Sequence, residues 1–197
     1  MTKYKKTGID LFVADNAIIK KPQLVELGKH VAIDIGVYLS TQAKIGNYVH
    51  IAPYVCVIGG EKSKLVMGDF SGISAGSKII CGSDDFTKGM MNPQVPLKYK
   101  ETKFTTVTIE DYACIGVNCI VMPGITIREG SVIGAGSVVT KDTEPWMIYV
   151  GSPAKAVKLR DKELILRAGK ELNNLNKKKW ILLIKWNHGL ITKNKKP

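Results

Sequence analysis

The chain has 197 residues and a formal net charge of +12, with 45% hydrophobic and 23% charged residues. This is the make-up of an ordinary globular domain with an appendage. No stretch is long and apolar enough to cross a bilayer, and the opening MTKYKKTGID lacks the apolar core of a secretory signal. Four scattered cysteines (Cys56, Cys81, Cys114 and Cys119) form no Cys-x-x-Cys pair, so they read as core or corner residues rather than metal ligands or a disulfide framework, which favours a cytoplasmic setting.

Residues 1–26 show no clear period and are expected to form an N-terminal cap, with a lead-in turn and a partial coil over Asp10–Ile19. From Leu27 a strict register begins. Leu27, Ile33, Leu39, Ile45, Ile51 and Val57 follow one another at intervals of six, Met67, Ile73 and Ile79 continue it, and Ile109, Ile115, Val121, Ile127, Ile133 and Val139 complete it. A helix repeats every 3.6 residues and a half-buried strand every two. A period of six fits a short strand, a turn and a new strand, three units making a triangular coil of eighteen residues. Successive coils stack at about 4.8 Å, so each aliphatic residue meets its counterparts above and below. The expectation is an all-β solenoid, a parallel β-helix of hexapeptide repeats over residues 27–157.

Two steps break the register. Val57 to Met67 spans ten residues, so Gly59-Gly60-Glu61-Lys62 should bulge from a corner. Ile79 to Ile109 spans thirty where six would continue the coil, so about 83–106 must leave the prism as an excursion loop. A long loop without a period of its own inside a compact repeat marks a functional segment, and its Met90, Met91, Val95 and Leu97 suggest that it packs on something. Pro145 is expected to end the ladder, because proline donates no backbone hydrogen bond.

Residues 158–197 form a separate C-terminal segment, with a helix expected over Asp161–Leu175. From Lys158 onward twelve Lys and Arg stand against three acids, a net +9 of the chain's +12. Trp180 and Trp186 within this basic stretch suit weak contact with an anionic membrane surface; packing on the solenoid or on a second subunit is the other reading. A basic tail alone does not indicate nucleic-acid binding.

The run IGVNCIVMPGITIREGSVIGAGSVVTKD, followed by GSPAKAVK, closely resembles the signature of hexapeptide-repeat acyltransferases. The resemblance covers about residues 27–160. It implies a left-handed coil, a homotrimer with intersubunit active sites, and acetyl-CoA as acyl donor, with no metal. IGNYVHIAPY, GSDDF, NPQVP and Glu144-Pro145-Trp146 resemble the sugar acetyltransferases of bacterial surface-polysaccharide pathways. Those include N-acetyltransferases of dTDP-linked 4-amino-4,6-dideoxyglucose and galactoside O-acetyltransferase-like proteins. The expected function is therefore N-acetylation of a nucleotide-linked amino sugar for O-antigen, with O-acetylation of a sugar hydroxyl as the alternative.

The same resemblance implies a general base, usually histidine. His188 lies in the tail and His30 away from the excursion; the loop carries Ser83-Asp84-Asp85 where galactoside-type enzymes have their histidine. His50 is thus expected as the base, with Asp84 orienting it or contacting substrate; alternatively Asp84 or Asp85 accepts the proton of a sugar amine. Asp85 and Asn92 are expected at the substrate. Gly116 and Ala135 match positions along the CoA channel, Thr140 and Lys141 match residues near its nucleotide end, Lys155 and Lys158 could neutralise phosphates as well as stand as plain surface lysines, and Cys114 stands where some relatives carry tryptophan. Two other classes share the fold. Zinc-dependent γ-type carbonic anhydrases need three suitably spaced histidines, which His30, His50 and His188 do not supply, and a non-catalytic scaffold would need neither the signature nor the loop.

Overall fold

A computed structural model describes residues 4–92 and 94–174. The expected tail from 175 onward, with its membrane-facing reading, lies outside the described residues. Two units result, Met1–Arg160 and Asp161–Pro197.

The first unit is a left-handed parallel β-helix. Three parallel sheets form the walls of a prism. The first runs Lys6–Thr7, Val25–Leu27, Gln42–Ile45, Lys64–Met67, Thr106–Ile109, Thr126–Ile127. The second takes Leu11–Val13, Val31–Ile33, His50–Ile51, Gly72–Ile73, Cys114–Ile115, Val132–Ile133, then Met147–Gly151 and Ala154–Leu159. The third takes Ile18–Ile19, Tyr38–Leu39, Cys56–Ile58, Lys78–Ile80, Ile120–Val121 and Val138–Val139. The hexapeptide register is the core: Leu27 is level with Ile45, Met67 with Ile109, Ile73 with Ile115 and Ile79 with Val121. All fifteen register residues are 3% exposed or less.

A second buried register lies two residues earlier. It holds small residues such as Val31, Val37, Val49, Val55, Ala113 and Cys119, and several serines. The serines enter at little cost because each hydroxyl is bonded: Ser71 donates to the Gly68 carbonyl, Ser77 to Gly116, Ser131 to Glu144 and Ser137 to Gly134. Cys119 fills this register. Cys81 is also fully buried, and burial pushes its thiol up to about 12, so it is no nucleophile at neutral pH.

Between the first and second sheets the chain turns through left-handed residues that carry side chains. His30, Tyr48, Phe70, Tyr112 and Trp146 all have φ between 56° and 59°. Their rings stack coil on coil, at 4.6 Å for His30–Tyr48, 4.8 Å for Tyr48–Phe70 and 5.1 Å for Phe70–Tyr112. Stacking offsets a backbone conformation that costs a non-glycine residue roughly 1 kcal/mol or more. Arg160 closes the column, its Nη1 donating to the carbonyls of Tyr112 and Gly130 at 2.8 Å.

Two expectations change. Residues 6–19, read as a lead-in cap, supply a strand to each of the three sheets and form a full first coil. Proline at 145 does not end the ladder: Met147–Gly151 pairs parallel with Val132–Ile133, and Ala154–Leu159 folds back on it antiparallel. Pro145 sits in the turn before the strand, where no ladder donor is required. The first sheet is instead closed by side chains, the Asp142 carboxylate and Thr143 hydroxyl accepting the N–H groups of Thr126 and Arg128 at 2.8 Å.

The second unit contains an α-helix, Glu163–Asn173.

Candidate functional site

The excursion is an antiparallel hairpin, Gly82–Gly89 against Lys100–Phe104. It leaves and re-enters at one corner, where Thr105 gives both its N–H (2.8 Å) and its hydroxyl (2.7 Å) to the Cys81 carbonyl. Asp84 lies opposite Thr102; beyond it the ladder slips, and Gly89 faces Lys100. Four residues, 85–88, thus oppose Glu101 alone, and this bulge aims the acids.

Asp84 is held from two sides. Its Oδ1 accepts the Thr102 hydroxyl at 2.7 Å, and its Oδ2 pairs with the Lys100 ammonium at 3.1 Å. Both side chains are largely buried, 16% exposed for Asp84 and 8% for Lys100. The Thr102 hydroxyl and then Lys100 hold the Asp84 carboxyl below the ordinary carboxylate range, against the opposing effect of desolvation. Asp85 is held lower still, by the Thr87 hydroxyl first and by Lys103, whose Nζ lies 2.9 Å from Oδ2. Both acids are anions at neutral pH.

They form one wall of a pocket of about 190 Å³, with Ser83, Phe86 and Lys103, over an apolar floor of Ile80, Met122 and Pro123. That floor is the outer face of the third sheet. Ile79 pairs with Val121 and Val121 with Val139, so Ile80, Met122 and Thr140 stand in one outward row on successive coils. The sheet therefore connects the acid pair with Thr140 and the following Lys141, both exposed.

The other candidates fall elsewhere. His50 lies on the second sheet between Ala32 and Gly72, its side chain 58% exposed. Within one chain its carboxylate partner is Asp34, with Nε2 to Oδ2 at 2.8 Å, rather than Asp84. Asn92 is exposed in the hairpin, where its Oδ1 accepts the Gln94 N–H at 2.9 Å and shapes a turn. Lys155 and Lys158 are exposed on the strand Ala154–Leu159. Ala135 is exposed at the corner between the second and third sheets. Gly116 occupies the same corner one coil earlier, and its reason for being glycine is packing: a Cβ there would lie 2.6 Å from the Ile133 carbonyl and 2.7 Å from the Ala135 nitrogen. Beyond Gly136 the space is open.

Sequence reasoning missed Asp34, Lys100, Thr102 and Lys103. Asp34 was findable, because an eighteen-residue coil puts residue 32 beneath His50 and residue 34 beside it. The hairpin partners had no such signal, since the excursion carries no period.

A larger pocket of about 340 Å³ lies on the first sheet, lined by Val66, Gly68, Thr108, Ile109, Glu110, Asp111 and Glu129. Three carboxylates give it the wrong sign for a phosphorylated donor or acceptor. Among the described residues no cluster of His, Cys, Asp and Glu has the geometry of a metal site, and no helix is long and apolar enough to cross a membrane.

Residues 106–141 match the hexapeptide repeat of succinyl-transferase family. The chain is 33% identical over 166 residues, 82% of its own length and 85% of the other's, to dTDP-4-amino-4,6-dideoxy-D-glucose acyltransferase of Escherichia coli. Among solved structures, a variant of AntD, an N-acyltransferase from Bacillus cereus, in complex with dTDP-4-amino-4,6-dideoxyglucose and coenzyme A superposes with a TM-score of 0.83 at 31% identity, covering 88% of this chain and 92% of that one. AntD with dTDP and 3-hydroxybutyryl-CoA gives 0.82 at 32% identity, covering 87% and 91%. The AntD variants include replacements of a serine and of an aspartate ten positions further on.

Proposed function

From the premise that the chain belongs to the hexapeptide-repeat acyltransferases, we propose that it moves an acyl group from a CoA thioester to the amine of a dTDP-linked 4-amino-4,6-dideoxy sugar. The observation that carries this reading is the pocket at the hairpin base, where an ionised Asp84 stands over an apolar floor. A neutral sugar amine fits both features: its N–H donates to the carboxylate, and the 6-methyl group of the dideoxy sugar lies against Met122 and Ile80.

The AntD variants add support. Ser74 is the one serine of this chain with an aspartate ten positions on, and that aspartate is Asp84. Ser74 follows the strand Gly72–Ile73 in the second sheet and joins Asp84 as a proposed site residue.

The chemistry is direct transfer. The amine lone pair attacks the thioester carbon, the C–N bond forms, the C–S bond breaks, and the proton shed by nitrogen ends on the departing thiolate. Asp84 receives the N–H hydrogen bond and orients the lone pair, a contribution of position and electrostatics. The nitrogen of the tetrahedral adduct is acidic, so no strong base is needed. Acetyl is the proposed acyl group. The residues proposed to hold the donor are Thr140 and Lys141 at the end of the outward row, Ala135 at the open corner, and Lys155 and Lys158 for its phosphates. Asp85 and Asn92 are proposed at the acceptor.

A second reading keeps His50 as a base, favoured by its 2.8 Å contact with Asp34, the arrangement that orients an imidazole for proton transfer. It suits O-acetylation of a sugar hydroxyl, which does need a base, at a site shared between subunits. A homotrimer, a role in O-antigen synthesis and a bacterial cytoplasmic location belong to the same proposal.

Steady-state transfer followed by free thiol release tests the reading, with a dTDP-linked 4-amino-4,6-dideoxyhexose offered beside a plain galactoside, and acetyl-CoA beside 3-hydroxybutyryl-CoA. Turnover of the amino sugar alone is expected. Turnover of the galactoside alone would move the function to O-acetylation and to His50. Light scattering of the purified chain tests the trimer.

A further inference from the structure

Lys100 stands out on the hairpin. Lys98, Tyr99 and Glu101 around it are exposed, yet its side chain is 8% exposed. Burying an ammonium is unfavourable unless it is paired. Its ladder partner is Gly89, not Asp84; only the bulge of residues 85–88 lets its side chain meet the carboxylate. Among the described ion pairs, Lys100–Asp84 is the one in which both members are largely buried.

The charge balance is local. Asp85 and Lys103 are paired with each other at 2.9 Å. The floor residues Ile80, Met122 and Pro123 bring no charge. Asp84 therefore faces one cation, Lys100, and one neutral donor, Thr102.

An unpaired carboxylate in this pocket would bind a sugar amine as its ammonium ion, holding it in the protonated, non-nucleophilic form. A carboxylate already neutralised by lysine gives that ammonium little advantage, while its remaining lone pairs still accept an N–H. We infer that Lys100 is a positioning residue for acyl transfer: it fixes the Asp84 carboxylate, offsets its charge, and so makes the site select the neutral amine. The inference rests on the placement of the amine at Asp84.

The test uses the full-length protein with Lys100→Met and Lys100→Arg, beside Asp84→Asn, and reads kcat and KM for the amino sugar against pH. Removing the cation is expected to raise the pKa of the bound amine, so the acid limb of kcat should move up by about one pH unit. At neutral pH kcat should fall about tenfold in Lys100→Met with KM unchanged or lower, and Lys100→Arg should restore both. A purely structural lysine would change kcat and the melting temperature without moving the limb, and an unmoved limb in a folded Lys100→Met protein overturns the inference. Titration of the Asp84 carboxyl by ¹³C NMR separates the two claims. If Asp84→Asn keeps its activity, the amine placement fails and the positioning role of Lys100 with it, yet an upward shift of the carboxyl titration in Lys100→Met would still establish the electrostatic coupling. An unshifted titration would overturn the coupling as well, and where Lys100→Met does not fold, Lys100→Gln supplies the same readings.

Discussion

Thr102 and Asp84 face each other across the hairpin, hydroxyl to carboxylate at 2.7 Å, on the two strands of a segment that has no part in the hydrophobic core. The bond runs from strand to strand, so the orientation of the carboxylate follows from the pairing of the hairpin itself. The pocket inherits that rigidity, and the chemistry can be tested without disturbing the prism.

Asp84→Asn keeps the size of the side chain and its bond to Thr102 but removes the charge. Activity on an amino sugar is expected to fall by about two to three decades in kcat/KM, with the melting temperature lowered as well because Lys100 loses its counter-ion. Thiol-release kinetics and a thermal scan on one preparation check both.

His50→Ala separates the two readings of the mechanism. The side chain is exposed on the second sheet and bonded to Asp34, away from the acids of the hairpin. The expected loss on an amine acceptor is less than tenfold. A loss of two decades or more would place a base at His50 and bring Asp34 into the catalytic account.

Gly116→Ala tests packing against binding. The added methyl would press on the backbone of the next coil at 2.6–2.7 Å, and overpacking of this kind costs roughly 1–3 kcal/mol. A lower melting temperature is expected even without donor present. An unchanged melting temperature with weakened CoA binding would instead give Gly116 a direct role at the donor.

Acid stability follows from the two aspartates. Their folded-state values lie below the unfolded value of about 4. A depressed acid contributes stability above its unfolded pKa and loses it as pH falls through the folded one. The hairpin is therefore expected to hold constant protection from neutral pH down to about pH 4, and to lose it below. Hydrogen exchange along residues 82–104 measures this, and Asp85→Asn should flatten the acid end.

The prism was legible because its cause is periodic. Each of Ile109, Ile115 and Val121 must point inward for the coils to stack, so the spacing states the geometry outright. The first coil was not legible: Thr7 stands where an aliphatic residue would be expected, level with Leu27, and only Val13 and Ile19 continue the sequence. The strand after Pro145 was missed because proline was weighed as a terminator when it occupied a turn. At the site, Asp84 and Asp85 were visible as charge in an aperiodic loop. Lys100 and Thr102 were not, because the slip between Asp84 and Gly89 is a fact of pairing that residue types alone do not encode.

Thr105 and Cys81 meet directly, so twenty-three intervening residues begin and end at the same point of the prism. Closing so long a loop costs little more entropy than closing one half its length, and each carbonyl and amide at the junction already has its partner. The hairpin is in effect a cartridge. Replacing residues 82–104 by a different ordered loop would exchange one proposed acceptor pocket for another while the coils below and above kept their stacking. On the proposed assignment of donor to coils and acceptor to hairpin, the two can be inherited, and altered, independently.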